Sequence, residues 1–406
     1  MKEQVVIIGA GQAGGTVAGF LRHNGYTGGI VLLGEENLPP YQRPPLSKAW
    51  LKGEVNAEGL ELKSPDFYPS AGIDLRTGVR AAGLDCARRQ VLLAGGEQVP
   101  YESAILATGA RPIRLPLPGA ELDGVLTLRT AADAETLKAR IGPGKRVVII
   151  GGGYIGLEVA ASVVTLGGKA VVLERAPRLL ARSASADVAE FFRRYHEDRG
   201  VLVHLGVEVL AFVGAEGRVA GVQLADGSVE RCDLVLVGVG ALPNTAIAEA
   251  AGLKCNRGIV VDESSRTSDP HVYAIGDCSL RPAPLYDRLV CHESVPSAIE
   301  QAKQAAAHIT GRAPPTPEVP WNWSDQYDLK LQVAGFAFDA DQMVVRGDPA
   351  SGRFAVFHLK NGRVRQVEAI NAPVEFMAGR QLIQRQTEID RLRLSDAAVP
   401  MKALAA

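Results

Sequence analysis

The sequence predicts an α/β protein in which one parallel-sheet domain is inserted into another and an α+β domain follows both. Three observations predict it. An apolar run leading into a glycine-rich turn occurs twice, as Val5-Val6-Ile7-Ile8 before Gly9-Ala10-Gly11-Gln12-Ala13-Gly14 and as Val147-Val148-Ile149-Ile150 before Gly151-Gly152-Gly153-Tyr154-Ile155-Gly156. Each copy is followed by a second apolar strand and then an acid: Ile30-Val31-Leu32-Leu33 before Glu35, and Ala170-Val171-Val172-Leu173 before Glu174. Beyond residue 318 the texture changes to short alternating strands.

Each apolar run reads as a strand buried on both faces of a parallel sheet, with a helix beginning inside the glycines. The glycines permit a tight turn, let the backbone approach a pyrophosphate and let the helix pack on the strand. The helix start then offers free N–H groups and partial positive charge to phosphates. A single copy can be an ordinary tight turn. Two copies, each with an acid about 20–25 positions on, define two Rossmann-like dinucleotide-binding domains. Two dinucleotides suggest electron transfer between them.

Ala104-Ile105-Leu106-Ala107-Thr108-Gly109 reads as a strand leading into a Pro-rich crossover, and Leu234-Val235-Leu236-Val237-Gly238-Val239-Gly240 leads into a second crossover at Leu242-Pro243-Asn244. These mark entry to and exit from the insertion. The expected domains are therefore 1–111 with 243–317, then 112–242, then 318–406. A helix from Pro296 to Ile309 is expected to close the first domain, with Ser294 as its N-cap. In the last domain, strands are expected at Leu331–Phe336, Gln342–Val345 and Phe354–Leu359. Asn361-Gly362 signals a hairpin turn before Arg363–Val367, and helices are expected from Ala372 onward.

The 406 residues are 47% hydrophobic and 22% charged, with a formal net charge of −1. That balance gives no signal for nucleic acid or an anionic membrane surface. No apolar run approaches the roughly 18–20 residues of a membrane span. The N-terminus runs directly into the first strand, so no signal peptide and a cytoplasmic location are expected. Cys86, Cys232, Cys255, Cys278 and Cys291 form no close pair, and no Cys/His cluster has metal-ligand spacing. No redox dithiol and no metal site are expected.

Four further signatures are Tyr41-Gln42-Arg43 with Pro44-Pro45-Leu46-Ser47-Lys48, Leu128-Arg129-Thr130, Thr267-Ser268-Asp269-Pro270 through Gly276-Asp277, and Pro320-Trp321-Asn322-Trp323-Ser324-Asp325-Gln326. With the two fingerprints they resemble the FAD-dependent NADH–ferredoxin reductases of bacterial oxygenase systems, the putidaredoxin-reductase type, over almost the whole chain. The resemblance implies a glutathione-reductase-like plan without the dithiol of the disulfide reductases.

It also implies roles. Gly9, Gly11, Ala13 and Gly14 would line the FAD pyrophosphate, Glu35 would hold the adenosine ribose, and Ala81 would lie by the adenine. Lys48 and Arg129 would contact the flavin side, Asp277 the ribityl chain, and Val295 the pyrimidine edge at a helix N-terminus. Gly151, Gly153, Ile155 and Gly156 would hold NADH, with Glu174 on its ribose and Gly238 and Glu293 near the nicotinamide. Lys48 and Glu158 would form an ion pair beside flavin N5. Read without the resemblance, Glu158 is a first-turn acid complementing the helix dipole, and Lys48 a solvated lysine. Glu174 disfavours a 2′-phosphate, whereas Arg175 or Arg182 could pair with one.

The implied reaction is electron transfer from NADH through non-covalently bound FAD to a [2Fe–2S] ferredoxin. Trp323, Lys303 and Lys330 are the candidates for the ferredoxin-facing surface, with Trp321 read as an anchor of the last domain. A monomer or weak homodimer is expected. A rubredoxin in place of the ferredoxin, an NADH oxidase-type activity and a redox-signalling flavoprotein are the alternatives.

Overall fold

The computed structural model describes residues 3–404. In chain order, the elements that matter for the site begin with β1 (Gln4–Ile8), α1 (Gln12–His23), β2 (Gly29–Leu33), β3 (Ile73–Arg76) and β4 (Ser103–Leu106). Next come β5 (Arg146–Ile150), α2 (Tyr154–Thr165), β6 (Lys169–Glu174), α3 (Ala186–Glu197), β7 (Leu202–Leu205) and β8 (Leu234–Val237). After them lie β9 (Val272–Ala274), α4 (Val295–Ile309), β10 (Trp321–Gln326), β11 (Leu329–Gly335), β12 (Gln342–Asp348), β13 (Arg353–Lys360), β14 (Arg363–Ile370) and α5 (Pro373–Arg385).

The chain divides into two compact units, each assembled from three stretches. The first comprises Met1–Arg43, Ala57–Arg111 and Leu242–Pro320. Its parallel sheet runs β9-β4-β1-β2-β3, with Val5 opposite Ile30 on one side and Ser103 on the other. Alternate residues of β1 feed two separate cores. Val5 and Ile7 pack with α1 and with Ala298, Ala302, Ala305 and Ala306 of α4. Val6 and Ile8 pack with Leu84, Val91, Leu93 and Val99 of an antiparallel meander over residues 81–100. Burial on both faces is why β1 carries no polar residue after Gln4. The helix at the end of this unit starts at Val295, and the Ser294 hydroxyl accepts from the Ser297 N–H, as its sequence predicts.

The second unit comprises Pro44–Asn56, Pro112–Ala241 and Trp321–Ala406. Its parallel sheet runs β7-β6-β5-β8 and ends on the two-residue strand Val125–Leu126. Val148 and Ile150 face Phe212, Val219 and Val222 of a second antiparallel meander, the counterpart of the first. The C-terminal antiparallel sheet runs β10-β11-β14-β13-β12. Asn361 and Gly362 join β13 to β14, both with positive φ (49° and 71°), as the primed hairpin turn requires. Residues 321–326 form the edge strand of this sheet, and alternate side chains go to opposite faces.

Candidate functional site

The two glycine turns are near-duplicates in backbone geometry. Gly9 and Gly151 have φ of +112° and +107°, reserved in practice for glycine. A Cβ on Gly9 would strike the Ala107 carbonyl at 2.2 Å, and one on Gly151 the Gly238 carbonyl at 2.4 Å. Gly14 and Gly156 bring each helix down on its turn, with Cβ positions 1.9 Å and 2.2 Å from the oxygens of Gly9 and Gly151. By contrast, a Cβ on Gly11 or Gly153 would meet nothing within 4 Å. These are the N-cap positions of α1 and α2, and neither helix start carries a side-chain cap. Elsewhere in the chain Thr130, Ser185 and Ser294 cap their helices. Uncapped N–H groups facing open space at two equivalent turns form a cradle that fits a pyrophosphate.

The two acids differ in placement. The first fingerprint glycine in each copy donates its N–H to the carbonyl of the neighbouring strand, Gly9 to Leu33 and Gly151 to Leu173. Glu174 is the next residue after that carbonyl, whereas Glu35 is one further on. Glu174 is held in place: its Oε2 accepts from Gly152 N–H at 2.6 Å and its Oε1 from Ala176 N–H at 2.7 Å. Glu35 is mostly exposed, with Arg80 3.8 Å away. Arg175 is exposed, and Arg182 reaches the Val239 carbonyl at 3.4 Å.

The remaining predicted positions fall in both units. With the first fingerprint, the first unit holds Ala81, Asp277, Glu293, Val295 and Lys303. Ala81 opens the 81–100 meander. Asp277 follows Gly276, whose φ is +76° and whose N–H is held by the buried Gln301 of α4 at 3.1 Å. Glu293 is exposed, and Val295 starts α4. The second unit holds Lys48, Arg129, Glu158, Gly238, Trp323 and Lys330 with the second fingerprint. Arg129 precedes a capping box in which Asp133 accepts from the backbone N–H groups of Arg129 and Thr130. Ile155, in the first turn of α2, is half exposed.

Lys48 and Glu158 meet within the second unit. The ammonium donates to Glu158 Oε2 at 2.7 Å, with the carboxylate almost wholly buried. Three residues that sequence reasoning missed complete this cluster. The Ser47 hydroxyl donates to the same oxygen at 2.5 Å, Ser324 donates to Oε1 at 2.7 Å, and Gln326 Nε2 donates to Ser324 at 3.1 Å. The alternation Trp-Asn-Trp-Ser-Asp-Gln was the available signal: period two places Asn322, Ser324 and Gln326 on one face. On the other face Trp321 lies against Phe376 and under Arg380 of α5, and Trp323 lies against Trp321 with centroids 5.6 Å apart. Lys330 is exposed, whereas Lys303 is paired with Glu318 at 3.3 Å.

All five cysteines are free. Burial pushes every thiol up, Cys232 and Cys291 to about 12. Among the described residues no group of His, Cys, Asp and Glu could hold a metal ion, and no helix is long and apolar enough to cross a membrane.

Residues 3–308 match the family model described as pyridine nucleotide-disulphide oxidoreductase, and residues 321–405 match the reductase C-terminal model. The chain belongs to the pyridine nucleotide-disulphide oxidoreductase family. Within it, the chain groups with the ferredoxin reductases of putidaredoxin-reductase type. It is 54% identical over 404 residues to "Probable ferredoxin reductase CtmF" of Castellaniella defragrans, covering 99% of each chain. It is 39% identical to putidaredoxin reductase CamA of Pseudomonas putida, covering 100% of this chain and 97% of that one. The reductase in a crystal structure of the covalent putidaredoxin reductase–putidaredoxin complex superposes with a TM-score of 0.96 at 40% identity, over 98% of this chain and 97% of that one.

Proposed function

We propose that this chain is a cytoplasmic, NADH-dependent flavoprotein reductase that passes electrons to a [2Fe–2S] ferredoxin serving an oxygenase. The observation that carries the reading is the duplicated, uncapped glycine cradle, one copy in each unit, with Glu174 fixed at the second. Both cradles fit a dinucleotide pyrophosphate. When bound, FAD supplies a two-electron acceptor for NADH and a one-electron donor for the carrier.

The residues bind and orient. At the first cradle Gly9, Gly11, Ala13 and Gly14 leave room for the FAD pyrophosphate, Glu35 would offer a carboxylate to the ribose, and Ala81 would lie by the adenine. Asp277 would accept from the ribityl hydroxyls. Val295, at the N-terminus of α4, would offer the partial positive charge of the helix start to the flavin. Arg129 and Lys48 serve the flavin side. At the second cradle Gly151, Gly153, Ile155 and Gly156 take the NADH pyrophosphate, and Glu174 takes its ribose. Gly238, at the end of the strand beside the second cradle, would leave room for the nicotinamide. Glu158 would hold the Lys48 ammonium fixed at the site of transfer, with Nζ 2.7 Å from Oε2. Thiols held protonated by burial take no part, which separates this chemistry from that of a dithiol reductase.

The test is stopped-flow mixing of the FAD-loaded protein with NADH or NADPH, followed by cytochrome c reduction with and without a [2Fe–2S] ferredoxin. Rapid bleaching of the flavin by NADH and carrier-dependent cytochrome reduction are expected. Faster bleaching by NADPH, or cytochrome reduction indifferent to ferredoxin, overturns the reading.

A further inference from the structure

A line of buried hydrogen bonds leaves the Lys48–Glu158 pair and runs through β10 to α3. Ser324 is fully buried, as is His196, and Gln326 is nearly so. The Glu158 carboxylate can only accept, so Ser324 must give its hydroxyl proton to Oε1. Ser324 in turn accepts from Gln326 Nε2 at 3.1 Å. That leaves the Gln326 amide oxygen to accept from His196 Nε2 at 2.8 Å, which places the imidazole proton on Nε2. The His196 Nδ1 atom is buried with no partner among the described residues. Every donor therefore points the same way, from the imidazole to the carboxylate.

The two carboxylate oxygens have separate duties. Oε2 accepts from Lys48 and Ser47, and Oε1 from Ser324. The strand is set to do this by its period. Ser324 and Gln326, two apart on β10, share one face, and Ser324 meets Glu158 of α2. The backbone carbonyl of Ser47 also accepts from Ser162 at 2.9 Å, tying the loop that carries Lys48 to the same helix.

We propose that Ser324 is a positioning residue for NADH oxidation: it holds Glu158 Oε1 so that Oε2 faces Lys48, while Gln326 and His196 keep its hydroxyl in the donating orientation. This rests on the proposed function, since the pair is assigned there to the site of transfer. Without Ser324 the carboxylate would lose the bond that sets its rotation, and the ammonium would follow it. The effect should fall on the rate of transfer rather than on capture of NADH.

The experiment uses the FAD-loaded full chain carrying Ser324→Ala or Gln326→Leu, with two readouts. In stopped flow, Ser324→Ala should slow flavin reduction at saturating NADH by about tenfold, the scale of one lost charge-assisted hydrogen bond, with the NADH dissociation constant within about twofold. Gln326→Leu should give a smaller loss in the same direction. In crystals of the Ser324→Ala protein, the Glu158 carboxylate should be rotated, with the Lys48 contact lengthened beyond about 3.5 Å or split between conformers. A wild-type rate with an unmoved carboxylate overturns the proposal, as does a loss confined to NADH affinity. If Ser324→Ala fails to fold, Gln326→Leu decides by the same two measurements. If the wild-type protein does not oxidise NADH, the functional reading falls, and the crystallographic readout still judges whether Ser324 positions Glu158.

Discussion

The carboxylate of Glu174 closes on the N–H of Gly152 at 2.6 Å, joining the acid at the end of β6 to the glycine turn after β5. The acid is thus pre-set before any ribose arrives, with further lone pairs on both oxygens still able to accept.

Replacing Glu174 with Ala should weaken NADH binding by roughly 1.5–3 kcal/mol, the scale of a charge-assisted hydrogen bond, while NADPH binding changes less. The preference for NADH therefore narrows. Titrating flavin reduction against each nucleotide measures both constants, and an unchanged NADH/NADPH ratio would refute the role.

The cysteines should be dispensable for flavin reduction. Burial keeps the thiol of Cys291 up at about 12, with the nearby carboxylates of Glu293 and Asp277 adding to the shift, so almost no thiolate exists at pH 8. Iodoacetamide at that pH should label the folded protein slowly and leave NADH-driven bleaching intact. Single Cys→Ser variants should do likewise. A folded, FAD-loaded variant that is no longer reduced by NADH would contradict this.

Acid stability should report on His196. Burial, the main cause, holds its imidazole down at about 4 against an ordinary 6.5, so the unfolded chain binds its proton first as pH falls. The stabilising contribution is complete above pH 6.5 and is lost progressively as the pH falls through about 4, by up to about 3 kcal/mol. Urea unfolding across that window should show a shallower acid limb for His196→Gln than for the wild-type protein. Parallel limbs would show that His196 is not the titrating group.

Electron delivery to a ferredoxin should slow as ionic strength rises, while flavin reduction by NADH changes little. Charge steering between a basic docking face and an acidic carrier is screened within a Debye length of about 8–10 Å. Lys330 is the better probe, because the Lys303 ammonium is already paired with Glu318. Lys330→Glu should mimic high salt at low ionic strength. A carrier rate indifferent to both would place docking away from Lys330.

The parallel strands were legible because burial on both faces leaves only apolar side chains, and the glycine turns because contacts under 2.5 Å forbid any Cβ at Gly9 and Gly151. Asn361-Gly362 and Ser294 announced themselves through local chemistry that acts within four residues. The polar lining of the Lys48–Glu158 pair was legible only as a period-two alternation, which does not say which face is buried. Ser324 and Gln326 look like solvent-facing residues, and only the pairing of β10 with β11 and its packing on α2 turns them inward. His196 sits among charged neighbours on α3, and nothing local marks it as the buried one. Nor does sequence reveal that Glu318 lies within reach of Lys303, fifteen positions before it.

The division of the chain also bears on its synthesis. The parallel sheet begun by β1 has β9 as its last strand, at residues 272–274, and α1 finds its alanine-lined neighbour only in α4, at residues 295–309. A ribosome must therefore have delivered most of the 406 residues before the first unit can close. The parallel sheet of the second unit, whose strands fall between residues 125 and 237, is complete in the nascent chain earlier. Of the two parallel sheets, the one that starts first is thus the one that finishes last, and its half-built form stands with unpaired edges while the insertion emerges.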